Sequence, residues 1–296
     1  VETKLDQVPQ TIYNGLLFGI VLSLGALGLS MVFGTTGLTN FAHGELVTFG
    51  AIMTYLANRV WGLPIALSIL FAVVLSAAFG WLNDSGLWRP LRRRGTGLIA
   101  MMIVSIGLQF LLRNIYQYFT GGRSLTYRQY VTPEPHTIGF IDYTYRDLIL
   151  VAISLLVLVA VTLALQYTRL GRATRAVADN PALAASTGIN VNRVISTVWI
   201  VGTALAGLGG AFLGFSQSVT YQLGAQVLLL IFAATCVGGL GSIWGAMLGS
   251  VIIGLFVELS TLVIPSQLKY AGAMVLLIVV LLVRPQGLLG RSQRVG

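Results

Sequence analysis

A chain of 296 residues in which 56% are hydrophobic and only 9% charged lacks the composition of a soluble domain, where about a quarter of residues are charged. The net charge of +9 would suggest nucleic acid in a soluble protein. Here the basic residues sit in short connections between apolar runs, where they set membrane topology, so a nucleic-acid partner is excluded.

In chain order, the first residues carry Glu2, Lys4 and Asp6 without a basic leader, and the apolar run that follows is as long as a full crossing. It is read as a retained helix and not a cleaved signal, and the missing initiator Met points to a trimmed start. A crossing needs about 20 apolar residues, and such runs fall near 12–33, 38–58, 63–83, 98–119, 147–167, 194–214, 226–240, 243–264 and 269–283. All are expected to be helices, because a segment in lipid must satisfy its own backbone and the alternation of a barrel strand is absent. The expectation is an all-α, polytopic membrane protein of about nine transmembrane helices, eight to ten at the bounds, in one membrane domain over 1–296. The runs 226–240 and 269–283 are short, and either re-enter or are lengthened by their neighbours.

Between the first two runs lies Gly34-Thr-Thr-Gly37-Leu-Thr-Asn40-Phe-Ala-His43-Gly44-Glu45. Ionisable groups inside a bilayer are rare and face a protein interior or a water path. Thr39 or Asn40 can cap the following helix, which makes Glu45 a first-turn acid favoured by the helix dipole. Two readings stand: a satisfied helix start, or a polar gate at which Asn40, His43 and Glu45 meet a transport path. The expected topology puts Gly34–Asn40 at, or dipping in from, the cytoplasmic membrane face with Glu45 about 7 Å further along the helix, an inner gate or vestibule and not a central pocket.

Arginines set the orientation. One connection holds Arg89, Arg92, Arg93 and Arg94, a second Arg169, Arg172, Arg175 and Arg193, and the tail Arg284, Arg291 and Arg294. All three belong in the cytoplasm, and nine spans put them on one side with the N-terminus outside. Segment 120–146 is then external, with Tyr116, Tyr118, Tyr127, Tyr130, Tyr143 and Tyr145 at the membrane boundary, and Arg113 is expected to snorkel to the outer interface.

The connection 169–193 reads as two short helices, with Asp179 or Asn180 capping the second, Pro181 at its first position and Gly188 just past its end. It is either an interfacial connector anchored by arginines to lipid or a docking element for a cytoplasmic partner. Val237-Gly238-Gly239-Leu240-Gly241-Ser242 breaks two apolar runs and echoes the Gly34–Glu45 stretch, either through close small-residue packing or as an internal repeat.

No phosphate-binding loop, H-E-x-x-H or G-x-S-x-G motif occurs, so no catalytic residue is assigned. Cys236 is the single cysteine, and His43 and His136 lie far apart, so neither a disulfide nor a metal site is expected. Within the runs only Glu45 and Glu258 are candidate coupling acids, thin support for self-driven transport.

Gly37-Leu-Thr-Asn40-Phe-Ala-His43-Gly-Glu45 resembles the signature of permease subunits of branched-chain amino acid ABC importers, with urea and short-amide permeases as close relatives. Arg169-Leu-Gly-Arg172-Ala-Thr-Arg175, Asp179 through Asn190, the Gly238-Gly239-Leu240-Gly241 run and Arg284-Pro-Gln-Gly-Leu288 resemble family segments in the same order. The resemblance implies the ABC importer permease fold in the bacterial inner membrane, without a cofactor of its own because ATP is bound by partner subunits. The implied partners are a second homologous permease, two cytoplasmic ATPase subunits, an extracytoplasmic substrate-binding protein and membrane lipid. It makes 169–193 the coupling segment, with Arg172, Arg175, Asp179, Asn180, Pro181, Ala182, Ala185 and Gly188 as coupling residues. The rivals are a urea or short-amide permease of the same architecture and a stand-alone facilitator or channel for a small neutral solute.

Overall fold

The structure, a computed structural model, describes residues 7–128, 134–265 and 268–289. The expectations for Glu2, Lys4, Asp6, Tyr130, Arg291 and Arg294 lie outside the described residues. The elements in order are α1 (Val8–Thr36), α2 (His43–Tyr55), α3 (Ile65–Asn83), α4 (Arg89–Arg93), α5 (Leu98–Thr120), the strands β1 (His136–Ile138) and β2 (Ile141–Tyr143), α6 (Tyr145–Tyr167), α7 (Arg169–Asp179), α8 (Pro181–Ser186), α9 (Val191–Ser216), α10 (Leu223–Gly238), α11 (Ile243–Ser260) and α12 (Lys269–Val283). A π-helical turn at Leu56–Val60 prolongs α2, and another at Asp84–Trp88 joins α3 to α4.

Among the described residues, six helices are long and apolar enough to cross a membrane: α1, the continuous Ile65–Arg93, α5, α6, α9 and α11. The shorter apolar helices α10 and α12, and α2, are not among them. Helix direction alternates along the chain. One end of the bundle gathers α7, α8 and the Gly34–Gly241 contact. The other holds the β1–β2 hairpin, which the Gln10 side chain ties to the start of α1 by bonds to Asp142 N and O. These are called the α8 end and the hairpin end below.

The bundle is built around α1 and α9, the most deeply buried of the long helices. α1 packs against α9 and α11, and α3 and α2 pack against α9. The outer helices turn small or polar side chains inward: α3 buries Ser68, Ala72, Ser76, Gly80 and Asn83, at helical spacing on one face. Its apolar residues point out, with Leu67, Leu70 and Val74 exposed. That inside-out pattern is the packing of helices in lipid, where small residues let backbones approach and apolar side chains face hydrocarbon.

Two sequence expectations change at this level. The helix of the 63–83 run does not end at Asn83 but continues to Arg93, because Asp84, fully buried, holds Arg89 at 3.2 Å and Arg92 at 2.5 Å and accepts from Ser196 Oγ of α9. Trp88 stacks on Trp199 beside them, ring centroids 5.7 Å apart. Asp84→Asn is expected to cost about 1.5–3 kcal/mol, the worth of hydrogen bonds to a charged group, read as a lower unfolding midpoint of the detergent-purified chain. Second, the tyrosines divide. Tyr118 and Tyr145 are exposed, whereas Tyr127 inserts between α2 and α9 and donates to Ala51 O or Ala211 O.

Candidate functional site

α1 ends at Gly37, whose φ of 68° forms the left-handed cap. The next residues, Gly37–Ala42, do not stay at the α8 end. Gly37 lies against Leu98 at the start of α5, the Phe41 amide donates to Ser105 Oγ at 3.1 Å, and the His43 ring reaches Gly25 O at 2.8 Å. Gly25 is 11 residues before Thr36, about 17 Å back along α1 at 1.5 Å per residue. The chain climbs part of that rise over Leu38–Asn40, turns at Asn40–His43, and the His43 ring reaches the rest of the way. α2 therefore starts inside the bundle, and His43 and Glu45 lie deeper than the expected position near a membrane face. Asn40 Oδ1 accepts from the Ala42 amide at 3.0 Å, closing a turn one step before the helix, and α2 has no side-chain cap.

Glu45, fully buried in the first turn of α2, receives both Arg113 Nε at 3.1 Å and Arg113 Nη2 at 3.0 Å on one oxygen, Oε1. Arg113 is 15 residues into α5 and does not snorkel outward as the sequence suggested. Tyr116, buried on the same helix, donates to Glu45 O at 3.0 Å. Two of the twelve buried side-chain polar atoms that have no hydrogen-bond partner among the described residues are here, His43 Nδ1 and Glu45 Oε2. Buried polar atoms are usually paired, and these two lie on the same turn of α2 beside the Arg113 ion pair.

A second element enters from the other side. α9 ends at Ser216, and Gln217–Gln222 carries the chain back from the hairpin end, so that α10 also begins inside the bundle. Gly44 and Gly224 meet there reciprocally: a Cβ on Gly44 would strike the Gly224 carbonyl, and a Cβ on Gly224 would strike the Gly44 carbonyl. The Gly224 amide donates to Thr48 Oγ1 at 2.9 Å, and Phe41 packs on Phe232 at 5.4 Å. In each half a long helix, a six-residue connection and a short helix follow one another, α1 to α2 and α9 to α10, and α1 runs antiparallel to α9. Phe41-Ala-His-Gly44 and Tyr221-Gln-Leu-Gly224 correspond, an aromatic three residues before the glycine. The two pieces run in opposite directions and bring the N-termini of α2 and α10 together at Gly44 and Gly224. The Gly238-Gly239-Gly241 run, which echoes Gly34–Glu45 in sequence, lies at the other end of α10. That run ends α10, with φ of 108° at Gly239 and 77° at Gly241, and is covered by Leu288 and Leu289 donating to Val237 O and Gly238 O. Trp244 points outward and is exposed.

Arg113 also lines a cavity of about 500 Å³ with Gln222, Gln226, Leu229, Tyr270 and Met274, so the ion pair borders open space on the face formed by α5, α10 and α12. At the hairpin end a separate cavity of about 420 Å³ carries Arg146, Asp147, Glu258 and Lys269 on its walls. Glu258 pairs with Lys269 at 3.1 Å.

The 169–193 connection forms α7 and α8 as expected. Asn180 caps α8 through Leu183 N at 3.0 Å, and Pro181 opens it. Gly188 has φ of 88°, the left-handed region that favours glycine. Pro181, Ala182, Ala185 and Gly188 are exposed, with Leu183 62% exposed among them. Arg172 and Arg175 are turned elsewhere: they donate to Tyr167 O and to Leu165 O and Gln166 O, closing the last carbonyls of α6. Asp179 is exposed at the end of α7. No group of three or more metal-ligating side chains occurs among the described residues.

A family model described as branched-chain amino acid transport system / permease component matches residues 11–283. The chain is 33% identical, over 96% of both chains, to the high-affinity branched-chain amino acid transport system permease protein LivH of Escherichia coli (strain K12). It is 32% identical, again over 96% of both, to the permease protein BraD of Pseudomonas aeruginosa, and 30% identical to the probable LivH of Methanocaldococcus jannaschii over 94% of this chain and 91% of that one. No solved structure matches.

Proposed function

The chain belongs to the family of branched-chain amino acid transport system permease components, and we propose that it is the translocation subunit of an ATP-driven importer of branched-chain amino acids. The observation that carries the mechanism is the meeting of two half-helices beside the Glu45–Arg113 pair. A zwitterion crossing the bundle needs a partner for each of its charges. The Glu45 carboxylate, with Oε2 unpaired, suits the ammonium, and Arg113 with the N-terminus of α10 suits the carboxylate. Because the pair neutralises itself when no solute is bound, the solute exchanges one set of ion pairs for another and is not trapped.

Permeases of this kind work with separate ATPase subunits and a binding protein. A second homologous permease covers the α5–α10–α12 face, so that the 500 Å³ cavity beside Arg113 becomes a path shared by two chains. Two cytoplasmic ATPases grip α8. The charged cavity at the hairpin end faces the binding protein outside the cell, with the N-terminus also outside and the C-terminus cytoplasmic, in agreement with the arginine distribution. The exposed Leu183 is the apolar contact through which ATP-driven closure moves α8 and, through α7 and α9, the half-helices.

The test is reconstitution with ATPase and binding-protein partners in liposomes and uptake of labelled leucine. ATP-dependent uptake is expected, and uptake without ATP hydrolysis would identify a facilitator instead. Leu183→Asp is expected to lower uptake more than tenfold while leaving the unfolding midpoint within about 0.5 kcal/mol of the parent, as for other surface changes. Gly188→Val should cost about 1–2 kcal/mol for forcing a branched side chain to positive φ. Normal uptake by Leu183→Asp would remove α8 from the coupling assignment.

A further inference from the structure

A third cavity, about 450 Å³, opens at the α8 end between α3, α4 and α9, away from the half-helices. Its walls include Arg89, Arg93, Arg193, Asn190, Trp81 and Ile200. The charge here is unbalanced. Asp84 is committed to Arg89, Arg92 and Ser196, and neither Arg93 nor Arg193 has a carboxylate partner among the described residues. The two guanidinium groups come from elements about a hundred positions apart in sequence yet line one cavity. Like charges focused in one cleft raise the local concentration of anions, and a planar guanidinium matches phosphate oxygens better than an ammonium does.

The other wall is apolar and exposed, and it leads toward the membrane. Trp81 is 52% exposed, and above it on the same face of α3 lie Leu67, Leu70 and Val74, all more than half exposed, at helix positions 67, 70, 74 and 81 that share one stripe. A basic pocket that continues into a lipid-facing apolar stripe has the layout of a phospholipid site: head group on arginines at the cytoplasmic interface, acyl chains along the helix. The indole of Trp81 sits at the join, where tryptophan is favoured in membrane proteins.

We propose that Arg93, Arg193 and Asn190 hold the phosphate-bearing head group of an anionic phospholipid whose chains lie along α3. Occupancy would neutralise the arginines and tie α4 to the start of α9, the helix that follows α8. This site is independent of the transport reading and stands whatever solute the chain carries.

The experiment is native mass spectrometry of the full-length chain in detergent, titrated with phosphatidylglycerol, phosphatidylcholine or inorganic phosphate. Arg93→Gln/Arg193→Gln is the test variant, and Arg89 is left intact because it supports Asp84. Phosphatidylglycerol is expected to be retained over phosphatidylcholine, and at least tenfold less by the variant. In the unaltered chain, phosphatidylglycerol should also raise the unfolding midpoint where phosphate does not, a readout that needs no variant. Equal retention by chain and variant overturns the proposal. So does displacement of the lipid by millimolar phosphate, which makes a free anion the ligand, or unchanged lipid retention with loss of ATPase co-purification, which makes the arginines a protein contact.

Discussion

Arg113→Ala is expected to lower the stability of the folded chain by about 3–5 kcal/mol, the cost of leaving one member of a buried ion pair without its partner, and to abolish uptake. The reason is the asymmetry of the pair: Glu45 is fully buried, whereas Arg113 keeps 22% of its side chain exposed to the cavity. Removing the arginine strands a carboxylate with no other cation in reach among the described residues. Glu45→Gln should cost less, because Arg113 can turn into the 500 Å³ cavity. The decisive variant is the double, Glu45→Gln/Arg113→Gln, which leaves two neutral amides able to hydrogen-bond. It should regain most of the lost stability, by unfolding midpoint in detergent, yet remain more than tenfold below the parent in ATP-dependent leucine uptake. Recovery of both would reduce the pair to a structural brace and remove it from the path.

The second large effect is expected at Gly44 and Gly224. Each glycine's missing Cβ is occupied by the other's carbonyl, so a methyl on either one pushes α2 and α10 apart. Gly44→Ala and Gly224→Ala should each cost toward the upper end of the roughly 1–3 kcal/mol seen when cores are overpacked. Because both act on one contact, the double substitution should cost less than the sum. Gly107→Ala in α5, where nothing lies within 4 Å of an added Cβ, is the control. It should be neutral or stabilising by about 0.5–1 kcal/mol, the helix preference of Ala over Gly. Additive losses at 44 and 224 would mean that the two half-helices do not bear on one another.

The sequence by itself determined the membrane class, the position of most helices and the existence of the α7–α8 connection. These depend on local quantities: run length, the cost of exposing backbone to lipid, and capping chemistry that acts within four residues, as at Asn180 and Pro181. It also marked Glu45 and His43 as unusual, because charge in an apolar stretch is costly wherever the chain goes. An available signal was missed at Arg113. An arginine 15 residues into an apolar run needs an anion, and Glu45 and Glu258 were the candidate acids within the runs.

What only the tertiary structure decided is depth and pairing. The expected spans 38–58 and 226–240 leave open how deep each short helix starts, since hydropathy is the same whether a connection turns at the membrane surface or climbs into the bundle. The choice is made by contacts from distant segments: Ser105 on Phe41, Gly25 on His43, Gly224 on Gly44. Asp84 likewise reads as the start of a loop until Arg92 and Ser196 surround it. Local sequence fixes what a residue costs to bury, but whether a partner from another helix meets that cost is a property of the assembled bundle, and in this protein it set the polar site deeper than the expected position near a membrane face.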